Sequence, residues 1–337
     1  MRTRLPLARD QFHTTPSLLL ESDDFRVEVF RYPAGIEAVR IHNRRGSVTV
    51  LPFLGQMIWD VQFDDHNLTM GHSFKQPLPA NSIIDTYGCF AFHSGLLANG
   101  CPAPEDDHPL HGEMACARMD SAWLVLDDQT LSLEGECEYV KGFGHHYVAA
   151  PAVRIQADRP RLTIEMTVTN LAGAPMPLQY MCHLNSAWID QGRFRQSIPE
   201  GAFQLRRSIP AHLRPTPAWR DYTDQLARDP QALQQLDQPQ LCDPEIVFFA
   251  DDLPQYGDEV QFELHAPQGY ALMTRFSTAQ FPHATRWLLH NHDQQVAAYI
   301  LPATCRPEGF LAAQQAGTLI TLASGEQRHF SVETGLL

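Results

Sequence analysis

The sequence predicts an all-β protein, a large antiparallel β-sandwich with few short helices. Three observations predict it: apolar and polar residues alternate with period two from end to end, turns break the alternation regularly, and helical periodicity is confined to one short region.

The runs fall in order along the chain. Residues 25–30 (FRVEVF), 38–42 (AVRIH) and 47–51 (SVTVL) form a first group of strands. Residues 131–140, 152–157 and 162–170 form a second, and the first of these is a clean ten-residue alternation. Residues 259–264, 271–276, 296–301 and 329–334 complete the set. Helical signals occur at 222–228 and 229–236, where Asp229 before Pro230 is a good N-cap and N1 pair. They lie inside a Pro-, Gln-, Asp- and Arg-rich stretch at about 206–243. Strand patterning resumes after it, so this stretch reads as an excursion off the sheets. The expectation is one domain over 1–337.

Composition narrows the function. The chain has 337 residues, 44% of them hydrophobic, enough for a substantial core. Mean hydropathy is −0.27. No apolar run approaches the roughly 20 residues of a membrane helix, and no apolar stretch follows Met1-Arg2-Thr3-Arg4 as in a secretory signal. The expectation is a cytoplasmic protein with no membrane partner. A formal charge of −14 repels phosphate backbones, which argues against nucleic acid. Lys75 and Lys141 are the only lysines, leaving little scope for Schiff-base chemistry. Seven widely spaced cysteines (89, 101, 116, 137, 182, 242, 305) without a CxxC argue against a disulfide framework or a structural zinc site. No GxSxG or Gly-rich phosphate loop occurs.

Two histidines stand in apolar, strand-like runs: His111 in Pro109-Leu110-His111-Gly112-Glu113 and His183 in Met181-Cys182-His183-Leu184-Asn185. A buried imidazole is costly unless hydrogen-bonded, so both ask for an explanation. His93, His108, His111, Glu113 and His183 are ligand-capable types. The spacing His108-x-x-His111-x-Glu113 matches no familiar metal motif, and residues three apart on a strand face opposite ways. The expectation is no bound metal.

The two runs resemble the two-histidine centre of galactose mutarotase-like proteins, the aldose 1-epimerase superfamily. The order of the segments 51–60, 92–100, 109–113, 177–185 and 317–326 is similar to that superfamily's. The chain looks most like its DUF4432 branch. The resemblance implies a galactose mutarotase-like supersandwich and a mutarotase interconverting sugar anomers, with a small-molecule sugar as partner and no cofactor. It makes His183 the acid at the ring oxygen and His111 a group on sugar hydroxyls. Asn185, His108, Glu113, Arg306, Trp287 and Asn99 become candidate sugar contacts. The superfamily's glutamate base is expected where Leu301-Pro302 stands, so Glu308 is the nearest replacement and Glu113 another. Two alternatives stay open: a sugar-binding or sensing protein that lost the base, and a metal-dependent sugar isomerase. The oligomeric state stays open as well, a homodimer among the options.

Overall fold

The structure, a computed structural model, describes residues 2–210, 213–229 and 232–337. Two large antiparallel sheets carry the fold, as the alternation predicts. The first runs in space through Arg2–Pro6, Ser121–Asp127, Thr130–Val140, His146–Gln156, Arg161–Asn170, Gln327–Leu336, Ala271–Ser277, Glu259–His265 and Arg193–Gln196. The main path of the second runs through Phe203–Leu205, Ile246–Ala250, His283–His290, Gln294–Ala303, Met176–Leu184, Ala91–Leu96 and Met57–Phe63, then on to Ser17–Glu21.

The two sheets differ in how burial repeats. Strand Arg161–Asn170 alternates strictly between buried and half-buried residues, because its outer face meets solvent. Strand Met176–Leu184 is buried at all but one position, because material covers both of its faces. The shared core lies between the sheets: Tyr180 packs on Phe330 at 4.9 Å between ring centroids, and Tyr299 Oη shares a 2.8 Å hydrogen bond with Thr274 Oγ1. His93 belongs to this core. Its Nδ1 bonds Tyr180 Oη at 2.8 Å, and burial lowers its pKa to about 4.

Local structure departs from expectation in three places. Helix Pro217–Arg228 starts a turn earlier than its periodicity suggested: Thr216 caps it, accepting a bond from the Trp219 amide, and Pro217 takes the first turn. Trp219, Tyr222 and Leu226 form its buried face. Pro230 and Gln231 lie outside the described residues, so the Asp229–Pro230 cap cannot be placed. Gln235 beyond them bridges to Arg193 as strand-like backbone rather than continuing a helix. Third, His111 is not on a strand: residues 110–116 form turns, and His111 has φ of +61°. Gly112 explains why. A Cβ there would sit 2.3 Å from the Ala98 carbonyl oxygen and 2.5 Å from that of Gly95, so the backbone turns tightly against the 95–100 loop.

The excursion leaves the second sheet after Phe203–Leu205 and rejoins it at Ile246–Ala250. Trp219 Nε1 anchors its helix by donating to the Pro244 carbonyl at 2.8 Å. Among the described residues no helix is long and apolar enough to cross a membrane.

Candidate functional site

The second sheet floors a cavity of about 620 Å³. Alternation along each strand decides which side chains reach it: Met181 and His183 from one strand, Thr285, Trp287 and Leu289 from another, with Leu301 and Val247 beside them. Leu110 and His111 come from the turn, and Tyr87 from the loop before Ala91–Leu96. The excursion supplies one wall through Arg206, Leu213, Arg214, Asp243, Pro244 and Glu245.

His183 and His111 meet edge to face, their ring centroids 4.8 Å apart at 87°. His183 stacks on Phe92 at 4.5 Å and stands edge-on to Trp287 and Tyr87 at 5.8 and 6.2 Å. This aromatic box desolvates His183, which is 4% exposed, while His111 is half-buried at the cavity. Burial therefore pulls His183 far below the usual histidine pKa, with His111 adding to the effect. Burial, and then His108, lowers His111 to about 4. Both rings are neutral at pH 7.

The surroundings of His111 also fix which nitrogen carries its proton. Ser94 Oγ donates to Asn99 Oδ1 at 2.5 Å and lies 2.9 Å from His111 Nδ1. A hydroxyl has one proton to give, so Ser94 accepts from Nδ1–H and leaves Nε2 as an acceptor. We expect nitrogen-15 NMR to show His111 protonated at Nδ1 in the wild type and shifted toward the Nε2–H form in Ser94→Ala. An Nε2–H signal in the wild type would refute the relay.

Glu113 serves the same turn. Its Oε1 accepts from the amides of Leu96 (3.0 Å) and Leu97 (2.9 Å) and from Tyr147 Oη (2.7 Å). With those bonds made, the carboxylate clamps the loop that carries His111 and does not line the cavity.

Three carboxylates line it, Asp243, Glu245 and Asp293, and of these Glu245, absent from the sequence-based candidates, is the one hydrogen-bonded to the cavity residues Trp287 and Arg206. Trp287 Nε1 donates to its Oε2 at 2.6 Å and Arg206 Nη2 to its Oε1 at 2.7 Å. Each oxygen keeps a lone pair for a ligand hydroxyl. The available signal was Cys242-Asp243-Pro244-Glu245 immediately before the apolar run 246–250 (IVFFA). That run is buried throughout and shows no alternation, so the strand and its leading carboxylate were passed over.

Of the candidates from sequence, the structure brings together His183, His111 and Trp287. The others lie elsewhere. Asn185 is fully buried behind the box, donating to the Cys89 carbonyl at 3.0 Å. Asn99 is equally buried and orients Ser94. His108 Nδ1 bonds the Pro109 carbonyl at 2.9 Å. Arg306 pairs with Asp251 and lies over the Phe249 ring at 4.7 Å. Glu308 accepts from Ser208 at 3.2 Å and sits outside the cavity lining. Leu301, where the glutamate was expected, does line it. Among the described residues no group of three or more His, Cys, Asp or Glu is placed to hold a metal ion.

The family model described as a domain of unknown function (DUF4432) matches residues 33–192 and 211–336. Comparison with curated proteins gives no match. Solved structures match over almost the whole chain. A Klebsiella pneumoniae protein provisionally named an aldose 1-epimerase is 13% identical with a TM-score of 0.80, covering 100% of this chain and 91% of its own. A galactose mutarotase-like protein from Clostridium acetobutylicum is 12% identical with a TM-score of 0.62, covering 94% and 99%. An aldose epimerase homologue from C. elegans is 14% identical with a TM-score of 0.55, covering 89% and 98%. At these identities the likeness is one of fold, the galactose mutarotase-like fold.

Proposed function

The chain belongs to the DUF4432 family, and from that premise we propose that it binds a free aldose in the large cavity and interconverts its anomers. The observation that carries this reading is the paired neutral imidazoles beside a carboxylate held by two donors. A cyclic hemiacetal presents two adjacent oxygens to be handled at once, the anomeric hydroxyl and the ring oxygen. The pair offers one acceptor and one donor: His111 Nε2 accepts from a sugar hydroxyl, and His183 donates to the ring oxygen.

Glu245 is the proposed base in place of Glu308. It takes the anomeric proton, the C1–O1 bond gains double-bond character, and the C1–ring-oxygen bond breaks onto the proton supplied by His183. Rotation about C1–C2 and the reverse steps close the other face and return both protons. Positioned acid–base pairs of this kind contribute about 10²–10⁴-fold. A neutral imidazole acts here as an electrophilic donor, a role low histidine pKa values permit. The Trp287 face suits the C–H side of a pyranose. Arg206 and Glu245 neutralise each other at 2.7 Å, so the cavity does not select an anionic sugar through Arg206. In this reading Asn99, Asn185 and Glu113 support the box from behind, and His108, Arg306 and Glu308 stand away from the sugar.

One observation favours a second reading. Leu301 occupies the cavity wall where the family resemblance led us to expect a glutamate, which suits a protein that binds sugar without turning it over.

Saturation-transfer NMR on a panel of neutral, deoxy and acidic aldoses tests both. Accelerated anomeric exchange for a neutral sugar is the expected result. Binding without acceleration would overturn the enzymatic reading and leave the binding one.

A further inference from the structure

We infer that a second cavity, on the reverse face of the strand that carries Trp287, binds a small oxyanion, a phosphate or a short-chain carboxylate, through Arg286. The cavity measures about 280 Å³ and is lined by Arg286, Phe194, Phe203 and Phe248, with Arg195 and Glu200 among the other residues around it.

Arg286 lies between Thr285 and Trp287, whose side chains face the large cavity. Strand alternation sends it the other way, and it is only 6% exposed. Its neighbours engage part of the guanidinium. A bulge between Thr285 and Trp287 frees the Tyr299 carbonyl from regular pairing, and Arg286 Nε donates to it at 3.1 Å. Nη2 donates to Gln196 Oε1 at 2.8 Å. Phe194 and Phe203 lie over the guanidinium, their ring centroids 4.0 and 4.2 Å from its central carbon.

What remains is the Nη1 edge. Among the described residues it has no protein partner, yet it is not among the sealed, unpartnered atoms of the interior, so it opens toward the cavity that Arg286 lines. Among the described residues no carboxylate pairs with this guanidinium, and burial alone pulls its pKa down to about 9. An isolated buried cation is costly unless it is paired. Two cation–π contacts offset part of that cost but supply no counter-charge. The charge is thus left under-compensated, beside an open space with donors pointing into it.

The chemistry of that edge selects the ligand class. Guanidinium N–H groups in a fixed plane match the paired oxygens of a carboxylate or phosphate. The volume, about 280 Å³, lies just below the usual range of ligand pockets and admits a small anion. Arg195 adds positive charge at the rim. Glu200, exposed and bonded to Gln234 at 2.7 Å, opposes it.

The test is calorimetric titration of the full chain with inorganic phosphate, acetate and succinate at constant ionic strength, with chloride as control. Saturable binding of phosphate or of a carboxylate is expected, and the panel shows which source supplies the oxyanion. Arg286→Gln should lose at least about tenfold in affinity, the scale of a charge-assisted bond. Because Arg286 is buried and its variant may not fold, Glu200→Gln supplies the second arm. Removing that surface carboxylate should raise affinity about threefold to tenfold. No saturable binding beyond chloride overturns the proposal. Binding that Glu200→Gln leaves unchanged overturns it too.

Discussion

His183→Ala removes anomeric exchange, by about 10²–10⁴-fold in the enzyme-catalysed rate. In the proposed mechanism this residue donates to the ring oxygen, and its face is fixed by Phe92 at 4.5 Å. Truncation takes away the donor and lets water into the box beside His111. The fold should survive. His183 Nδ1 is buried without a hydrogen-bond partner, and Asn185, which the ring also meets, keeps its 3.0 Å bond to the Cys89 carbonyl when the ring is gone. Circular dichroism and the urea midpoint should therefore stay near wild type while saturation transfer collapses. Glu245→Gln should lose activity on a similar scale, and Glu308→Gln should change it less than threefold. Exchange within threefold of wild type in His183→Ala would remove His183 from the chemistry.

Acid should unfold this protein at a mild pH. His93 and His183 are buried and His111 is half-buried at the cavity, and desolvation holds each below the usual histidine pKa, at about 4 for His93 and His111. The unfolded chain binds protons at these sites near pH 6.5. The sign follows: the unfolded state gains protons first as pH falls. The stability these neutral rings carry is therefore complete above pH 6.5 and disappears between 6.5 and about 4. At 1.36 kcal/mol per pKa unit, His93 and His111 each account for about 3 kcal/mol across that window. A total stability of about 5–15 kcal/mol would be largely consumed. Urea midpoints at pH 7.5, 6.0, 5.0 and 4.5 should fall steeply below 6.5. His93→Gln should flatten the decline, because its share of the linkage goes with it. A midpoint constant from pH 7.5 to 5.0 would show that the three rings are not held neutral by the fold.

The legible part of this fold was the part that meets water on one side. Runs 131–140 and 162–170 alternate because solvent and core impose opposite demands on successive residues. The cavity floor was harder. Residues 246–250 are buried on both faces, so period two disappears. In His283–His290 a buried arginine stands where alternation calls for an apolar residue. The histidine pair was legible because a polar ring in an apolar run has a cost that needs repaying. Glu245 was not, because nothing local marks a carboxylate whose partners, Arg206 and Trp287, lie about forty residues to either side. Glu113 and Asn99 show the converse error: both are polar and near the motif, yet their hydrogen bonds hold backbone and hydroxyl groups rather than a ligand.

The excursion between Leu205 and Ile246 has a consequence for how the cavity can be remodelled. It supplies one wall, while the second sheet supplies the floor with His183 and the 110–116 turn supplies His111. Changes in it therefore alter the shape offered to a ligand without touching strand register or the core between the sheets. Grafting or substituting this one segment is thus a way to reshape what the cavity admits while both sheets stay as they are.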